Sequence, residues 1–305
     1  MAEAAAEVGE GSAMGDVSVL VEGIYFGEGL RWHKGRLWYS DMYGPAVHAV
    51  SLDGTDEKIV EVKQQPSGLG WLPDGTMLVV SMVDRCLLRL ERDGLAEYAD
   101  LSGLATFHAN DLVVDADGRA YVTNFGFDLD GLMDAEGPAA LFAEPGPQRG
   151  AIAIVEPDGR VRAGPQGLRF GNGMAITPDG GTFIVAETLG HRLVAYDRAG
   201  DGSLANPRTF ADLEYRMPDG ICLDAEGCVW TAIATAPECI RVAPGGEILD
   251  QVATTSPSYC CSLGGLDGTT LFIATAAASH VAIASTQRSG RILMTEVAVP
   301  GIGSP

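Results

Sequence analysis

Six times along this chain a turn ending in glycine is followed by a short apolar strand, and a repeat of that kind leaves few folds open. The turns end at Gly35, Gly75, Gly118, Gly180, Gly227 and Gly268, and the strands after them read RLWYSD, TMLVVS, RAYVTN, GTFIVAE, CVWTAI and TTLFIAT. Their spacing is about 40 to 50 residues, with one longer interval between Gly118 and Gly180, which is the period of a β-propeller built from four-stranded units. Each unit carries a second turn after a further strand, in HAVSLDG, LLRLERDG, AIAIVEPDG, RLVAYDRAGDG, CIRVAPGG and VAIASTQRSG. Asp-Gly and Gly-Gly supply the positive φ that tight hairpins need, so the units read as antiparallel meanders. No segment carries the long 3.6-residue periodicity of a helical solenoid. The expected fold is all-β, a six-bladed β-propeller.

A polar or sulfur-bearing residue recurs at one phase upstream of each turn: Glu28, Ser67, Asn110, Asn172, Asp219 and Cys260. A fold that sets six units around an axis brings these side chains toward one point of a central channel. Two carboxylates (Glu28, Asp219) and two amides (Asn110, Asn172) make a hard-oxygen set suited to one divalent cation, calcium first, with magnesium, manganese or zinc as the other candidates. The competing account makes Asn-Asp, Asn-Gly and Asp-Gly only further turns. Against it, each stands just before an apolar strand (GLRW, DLVV, GMAI, GICL) instead of between two paired strands.

The 305 residues are 46% hydrophobic, enough for two domains, but blades packed around an axis form one closed unit without a linker. Residues 15–305 are therefore expected to form a single propeller, with DVSVLVEG completing the last blade beside RILMTEVAV. Residues 1–14, MAEAAAEVGEGSAM, carry no repeat phase and read as a leader or cloning remnant. Twenty basic against forty-one acidic residues give a net charge of −21, which repels nucleic-acid backbones and anionic membrane surfaces. No stretch is long and apolar enough for a membrane span, and the alanine-rich N-terminus lacks the basic flank of a signal peptide. The expected partner is a small-molecule substrate, the expected location cytoplasmic, and monomer and dimer both remain open.

Six cysteines (Cys86, Cys222, Cys228, Cys239, Cys260, Cys261) show no CxxC pairing, and the five histidines show no HExxH spacing, so a structural zinc site is not expected. No GxSxG elbow, GxGxxG loop or phosphate-binding loop opens a helix after a strand, which argues against serine hydrolases and nucleotide enzymes.

GEGLRW, HANDLVVDADGRAY, FGNGMAITPDGGTFIVAET, MPDGICLDAEGCVW and CCSLGG, in that order, resemble the senescence-marker-protein (regucalcin) and gluconolactonase family of six-bladed propellers, over roughly residues 17 to 300. The resemblance implies a divalent metal held in the channel by Glu28, Asn172 and Asp219, with Asn110 at a fourth position touching metal or substrate. It also implies lactone hydrolysis, with related propellers cleaving organophosphates. A calcium-binding module without turnover and a non-hydrolytic biosynthetic step such as cyclisation or isomerisation are the alternatives.

One departure from the sugar-lactonase pattern bears on specificity: an arginine that helps bind the polyol commonly precedes the Asn-Asp pair by two residues, and here that position is His108. A histidine beside a metal can bind substrate or shuttle protons, so His108 joins Asn110 and Asp219 as a candidate catalytic residue. Asp219 is expected to ligate the metal and also to activate water. Asp111 is a candidate for orienting Asn110 or touching substrate, and Tyr25, Phe26, Trp71 and Tyr259 adjoin the channel positions. The long third unit places its excess between Asn124 and the strand AIAIVEP. Phe125, Phe127, Asp128, Leu132, Met133 and Phe142 are thus expected to form a mixed apolar lid over the substrate, and Asn124 is a further candidate for binding it.

Overall fold

The structure is a computed structural model that describes residues 16–303; the expectation for residues 1–14 lies outside the described residues. Six four-stranded antiparallel sheets follow one another along the chain. The innermost strands are Gly27–His33, Pro66–Trp71, Ala109–Val114, Gly171–Ile176, Pro218–Leu223 and Ser258–Gly264. Each packs against the innermost strand of the next blade, and the sixth packs against the first, so the blades close into a ring. The sixth sheet takes its outermost strand from the opposite end of the chain. Ser18–Ile24 pairs antiparallel with Gly290–Glu296, with Val19 opposite Leu293 and Glu22 opposite Arg291. That strand is the one expected to close the ring.

The six turn glycines all adopt positive φ, from 69° at Gly180 to 86° at Gly75, which explains why this residue punctuates the repeat. Burial then follows strand position within a blade. Inner strands such as Ala109–Val114 and Gly171–Ile176 are buried at every residue, because both faces of their sheet meet a neighbouring blade. The outermost strand Asp56–Glu61 has no buried residue. Hydrophobic stabilisation therefore sits in wedges between blades, not in one central mass. Ile184, Leu193, Ile221, Val229 and Ile240 form such a wedge between blades four and five. Polar ties cross the same seams: Arg198 of blade four pairs with the buried Asp115 of blade three, and its Nε donates to Tyr121 Oη at 2.9 Å.

Two features position the channel residues. In every blade the pairing between first and second strands slips at the upper end of the inner strand, at Glu28/Arg31, Pro66/Leu69, Ala109/Leu112, Gly171/Met174, Pro218/Ile221 and Ser258/Cys260. A bulge there breaks the strict alternation of side chains and re-aims one of them into the channel. Close approach of neighbouring inner strands is the second feature. A Cβ on Gly173 would lie 2.6 Å from the Ile221 nitrogen, and one on Gly220 would lie 2.7 Å from the Cys260 Cα, so the glycine after the ring residue lets the blades converge.

The excess of blade three folds into a helix, Leu129–Glu136, and a short 3-10 turn, Pro138–Leu141, where the sequence pattern indicates only a loop. Asp128 caps the helix, its Oδ1 accepting from the Gly131 nitrogen at 2.9 Å, and Gly137 ends it. Among the described residues no helix is long and apolar enough to cross a membrane.

Candidate active site

The upper ends of the inner strands form the floor of a cavity of about 580 Å³. Glu28, Asn110, Asn172 and Asp219 all reach it and are buried, Glu28 at 8% and Asp219 at 6% exposure. A chain of hydrogen bonds joins the neutral members. Ser67 Oγ donates to Asn110 Oδ1 at 3.4 Å, Asn110 Nδ2 to Asn172 Oδ1 at 3.1 Å, Asn172 Nδ2 to Thr188 Oγ1 at 3.2 Å, and Thr188 Oγ1 to the Pro218 carbonyl at 2.8 Å. Cys260, the sixth ring position, is spent internally, its sulfur accepting from the Leu30 nitrogen at 3.3 Å.

The two carboxylates differ from these and from each other: Glu28 Oε2 accepts from its neighbour's backbone nitrogen, Gly29 N, at 3.3 Å. Asp219 Oδ1 is buried without a hydrogen-bond partner. Burial pushes the Asp219 carboxyl well above the usual range, Asp111 pushes it further, and the nearby Asn172 amide pulls the other way. Burial likewise raises Glu28, with the charges of Asp219 and Asp111 adding to the effect. A buried acid pair is costly unless something positive offsets it, and Arg31, whose charge partly lowers Glu28, is itself paired with Asp111 at 3.2 Å. Among the described residues no three or more histidines, cysteines or acids are arranged for a metal. The candidate donor set is therefore two acids with two amides, all oxygen, which fits a hard divalent cation and not a thiolate or imidazole site.

This has a stability consequence. Both carboxyls bind their protons more tightly in the folded than in the unfolded chain, so in the metal-free protein their contribution to stability is fully present below the ordinary carboxylate range and is lost as pH rises through the raised folded values. Thermal melts of chelated protein from about pH 5 to about pH 8 are expected to fall more steeply than those of the Asp219→Asn variant, and saturating calcium should remove the difference. Parallel curves would show that the pair carries no such strain.

The walls are apolar. Phe26 and Tyr259 pack as a tilted pair at 4.6 Å between centroids, Phe125 and Phe170 likewise at 4.4 Å, and Phe107 stacks on His108 at 4.1 Å. Met42, Met82, Met133 and Met217 fill the gaps. His108 lines the cavity, and burial lowers its pKa while Asp128 and Asp130 oppose the shift, so a neutral ring faces the substrate space near neutral pH.

Several expected substrate contacts lie elsewhere. Asp111 points away from the cavity floor: its Oδ1 accepts from Arg31 Nη2 at 3.2 Å and from its neighbour's backbone nitrogen, Leu112 N, at 2.7 Å. Only one of two successive residues faces the channel, and that one is Asn110. Asn124 Nδ2 is used by the Ala151 carbonyl at 2.9 Å, and Tyr25 lies beneath the Arg288 guanidinium. Phe127 and Leu132 pack into the apolar seat of the lid, with Phe170, Leu189 and Met217. Trp71 stands one strand length away, stacked on His33 at 4.0 Å. Phe26, Tyr259, Phe125, Asp128, Met133 and Phe142 do line the cavity. Thr188, Phe170, Met217 and Tyr43 were not singled out from the sequence. Three of these left a signal: Phe170 and Thr188 are the first and last residues of FGNGMAITPDGGTFIVAET, Thr188 just after a second strand, and Met217 opens MPDGICLDAEGCVW.

The family model described as SMP-30/Gluconolactonase/LRE-like region matches residues 26–277. A 6-deoxy-6-sulfogluconolactonase from Pseudomonas putida is 30% identical over 163 residues, 51% of this chain and 56% of that protein, so the chain matches little more than half of that relative's length. Regucalcin from Oryctolagus cuniculus is 25% identical over 84% of each chain. The solved structure of a calcium-binding protein, regucalcin, from Agrobacterium tumefaciens str. C58 superposes with a TM-score of 0.76 at 19% identity, covering 95% of this chain and 97% of that one. With the ring of Glu28, Asn110, Asn172 and Asp219 in place, and a match across most of its length, the chain belongs to the SMP-30/gluconolactonase/LRE-like family.

Proposed function

We propose that the protein hydrolyses a lactone or related ester with an apolar or aromatic body, assisted by a divalent cation held by Glu28, Asn172 and Asp219, with Asn110 beside them. The observation that carries this reading is the buried acid pair with an unpartnered Asp219 oxygen on the floor of a largely apolar cavity. Its relatives include a sulfogluconolactonase and a calcium-binding regucalcin, which supports both the reaction class and calcium as the ion. A cation bound there supplies Lewis acidity, polarising a carbonyl and making water easier to deprotonate.

The side chains do the rest. Asp219 Oδ1, which has no hydrogen-bond partner in the protein, accepts the proton of the attacking water and returns it to the departing alkoxide when the tetrahedral carbon collapses. The Ser67–Asn110–Asn172–Thr188 chain fixes both amides, so their orientation costs nothing at the moment of reaction. His108 hydrogen-bonds the substrate body, and the Phe26–Tyr259 and Phe125–Phe170 pairs exclude water from it.

Burying an aromatic ring against these walls gains about 25 cal/mol per Å², whereas a polyol gives up water contacts that the methionines and phenylalanines cannot replace. An aromatic lactone is therefore expected to show a kcat/KM about tenfold or more above that of gluconolactone, measured by proton release with calcium present. His108→Arg should shift the preference back toward the sugar lactone. A wild-type preference for gluconolactone would overturn the apolar assignment.

A further inference from the structure

The ring order places blade three opposite blade six, and the blade-three helix links the two. One side of it, with Leu129, Leu132 and Met133, rests on an apolar seat supplied by blades three to five, where Leu141, Phe170 and Leu189 are buried and Phe127 and Met217 pack on them. Another side, with Asp130 and Asp134 one turn apart, meets the blade-six loop through polar contacts. Val281 N donates to Asp130 Oδ2 at 3.2 Å, and His280 Nε2 lies 3.1 Å from Asp134 Oδ1. The tautomer is fixed by the loop itself: His280 Nδ1 accepts from the Ala282 nitrogen at 3.3 Å, so the proton sits on Nε2 and is donated to Asp134. No residue of the helix is buried, and the Asp134 side chain is 71% exposed. The helix thus has one greasy, anchored side and one side held by a few exchangeable hydrogen bonds. Beneath it, Leu129, Gly131 and Met133 form the roof of the substrate cavity, and Val281 closes the rim on the far side.

We propose that His280 and Asp134, with Asp130 beside them, are a latch that holds this helix across the channel mouth and sets the upper size of substrate the cavity accepts. The proposal rests on the hydrolase reading above and adds to it a pair of positioning residues that touch neither the cation-binding set nor the reacting carbonyl. With the latch made, the cavity is a roofed chamber of about 580 Å³, in the range of sites that enclose a small ligand. With it broken, the helix pivots on its apolar seat and the chamber opens toward blade six. Small substrates then lose wall contacts, while larger ones gain room.

The test compares wild type with His280→Ala, Asp134→Ala and the conservative Asp134→Asn, which keeps an acceptor oxygen. Hydrogen exchange of amides in 129–136 should accelerate about tenfold in both alanine variants and stay near wild type in Asp134→Asn, with the blade strands unchanged. In the same alanine variants kcat/KM for a small aromatic lactone should fall about tenfold, chiefly through KM, while that for a long-chain lactone too large for the closed chamber should rise. A purely structural role would instead lower both substrates together. Unchanged exchange in both alanine variants, or a uniform loss across substrate sizes, overturns the latch. If wild type hydrolyses no lactone with calcium present, the hydrolase reading fails, and the exchange measurement decides on its own whether the latch holds the helix.

Discussion

Replacing Asp219 by asparagine is expected to lower turnover by about 10³-fold, equivalent to roughly 4 kcal/mol of transition-state stabilisation, while leaving the circular dichroism of the propeller unchanged. The exchange is close to isosteric and keeps an oxygen at the cavity floor, so packing survives. What it removes is a charge and the proton acceptor at Oδ1, the atom that lacks a partner in the resting protein. The change should also relieve strain. Asp219 is the leading charge that raises Glu28 beyond the effect of burial, so the metal-free variant should melt no lower than metal-free wild type at neutral pH. Glu28→Gln is the useful contrast: it should chiefly weaken cation affinity and recover with excess calcium, because Glu28 has no role as a proton acceptor. Wild-type rates in both variants at ordinary calcium levels would make the ring structural.

The fold was legible because its punctuation is physical. A turn that needs positive φ selects glycine, and the six turn glycines recur at a period that only a few architectures share. The closing strand was legible for a related reason, since DVSVLVEG alternates like a strand and the last blade otherwise has only three. The ring residues followed from phase, and four of the six stand together on the cavity floor. Phase failed one residue further on. Asp111 follows Asn110 directly, yet its carboxylate serves Arg31 of blade one, a contact set by how two blades meet and not by any local pattern. Asn124 and Phe127 show the same limit: being in or beside the long insertion did not say which side chains turn inward. The helix over Leu129–Glu136 is short and interrupted by Gly131, so its apolar period is too brief to register. Its partner His280 lies 146 positions away in the chain, beyond the reach of motif reading.

Exhaustive chelation is expected to reduce lactone turnover to background, and calcium is expected to restore it. The reason lies in the donor set, since two buried acids and two amides offer oxygen alone. Without a cation burial raises the proton affinity of both carboxyls, with Asp219 and Asp111 adding to the effect on Glu28 and Asp111 adding to that on Asp219, which favours the protonated acid where Asp219 must accept a proton. The chelated protein therefore loses the polarising charge and its proton acceptor together, which is why the loss should exceed that of the Asp219→Asn variant with calcium present. Magnesium, smaller and slower to shed water, should restore less activity than calcium. Zinc, which prefers nitrogen and sulfur donors that the floor does not present, should also restore less. Full turnover after chelation, with elemental analysis showing no bound metal, would overturn the cation assignment and leave the acid pair to be explained as a proton-sharing dyad.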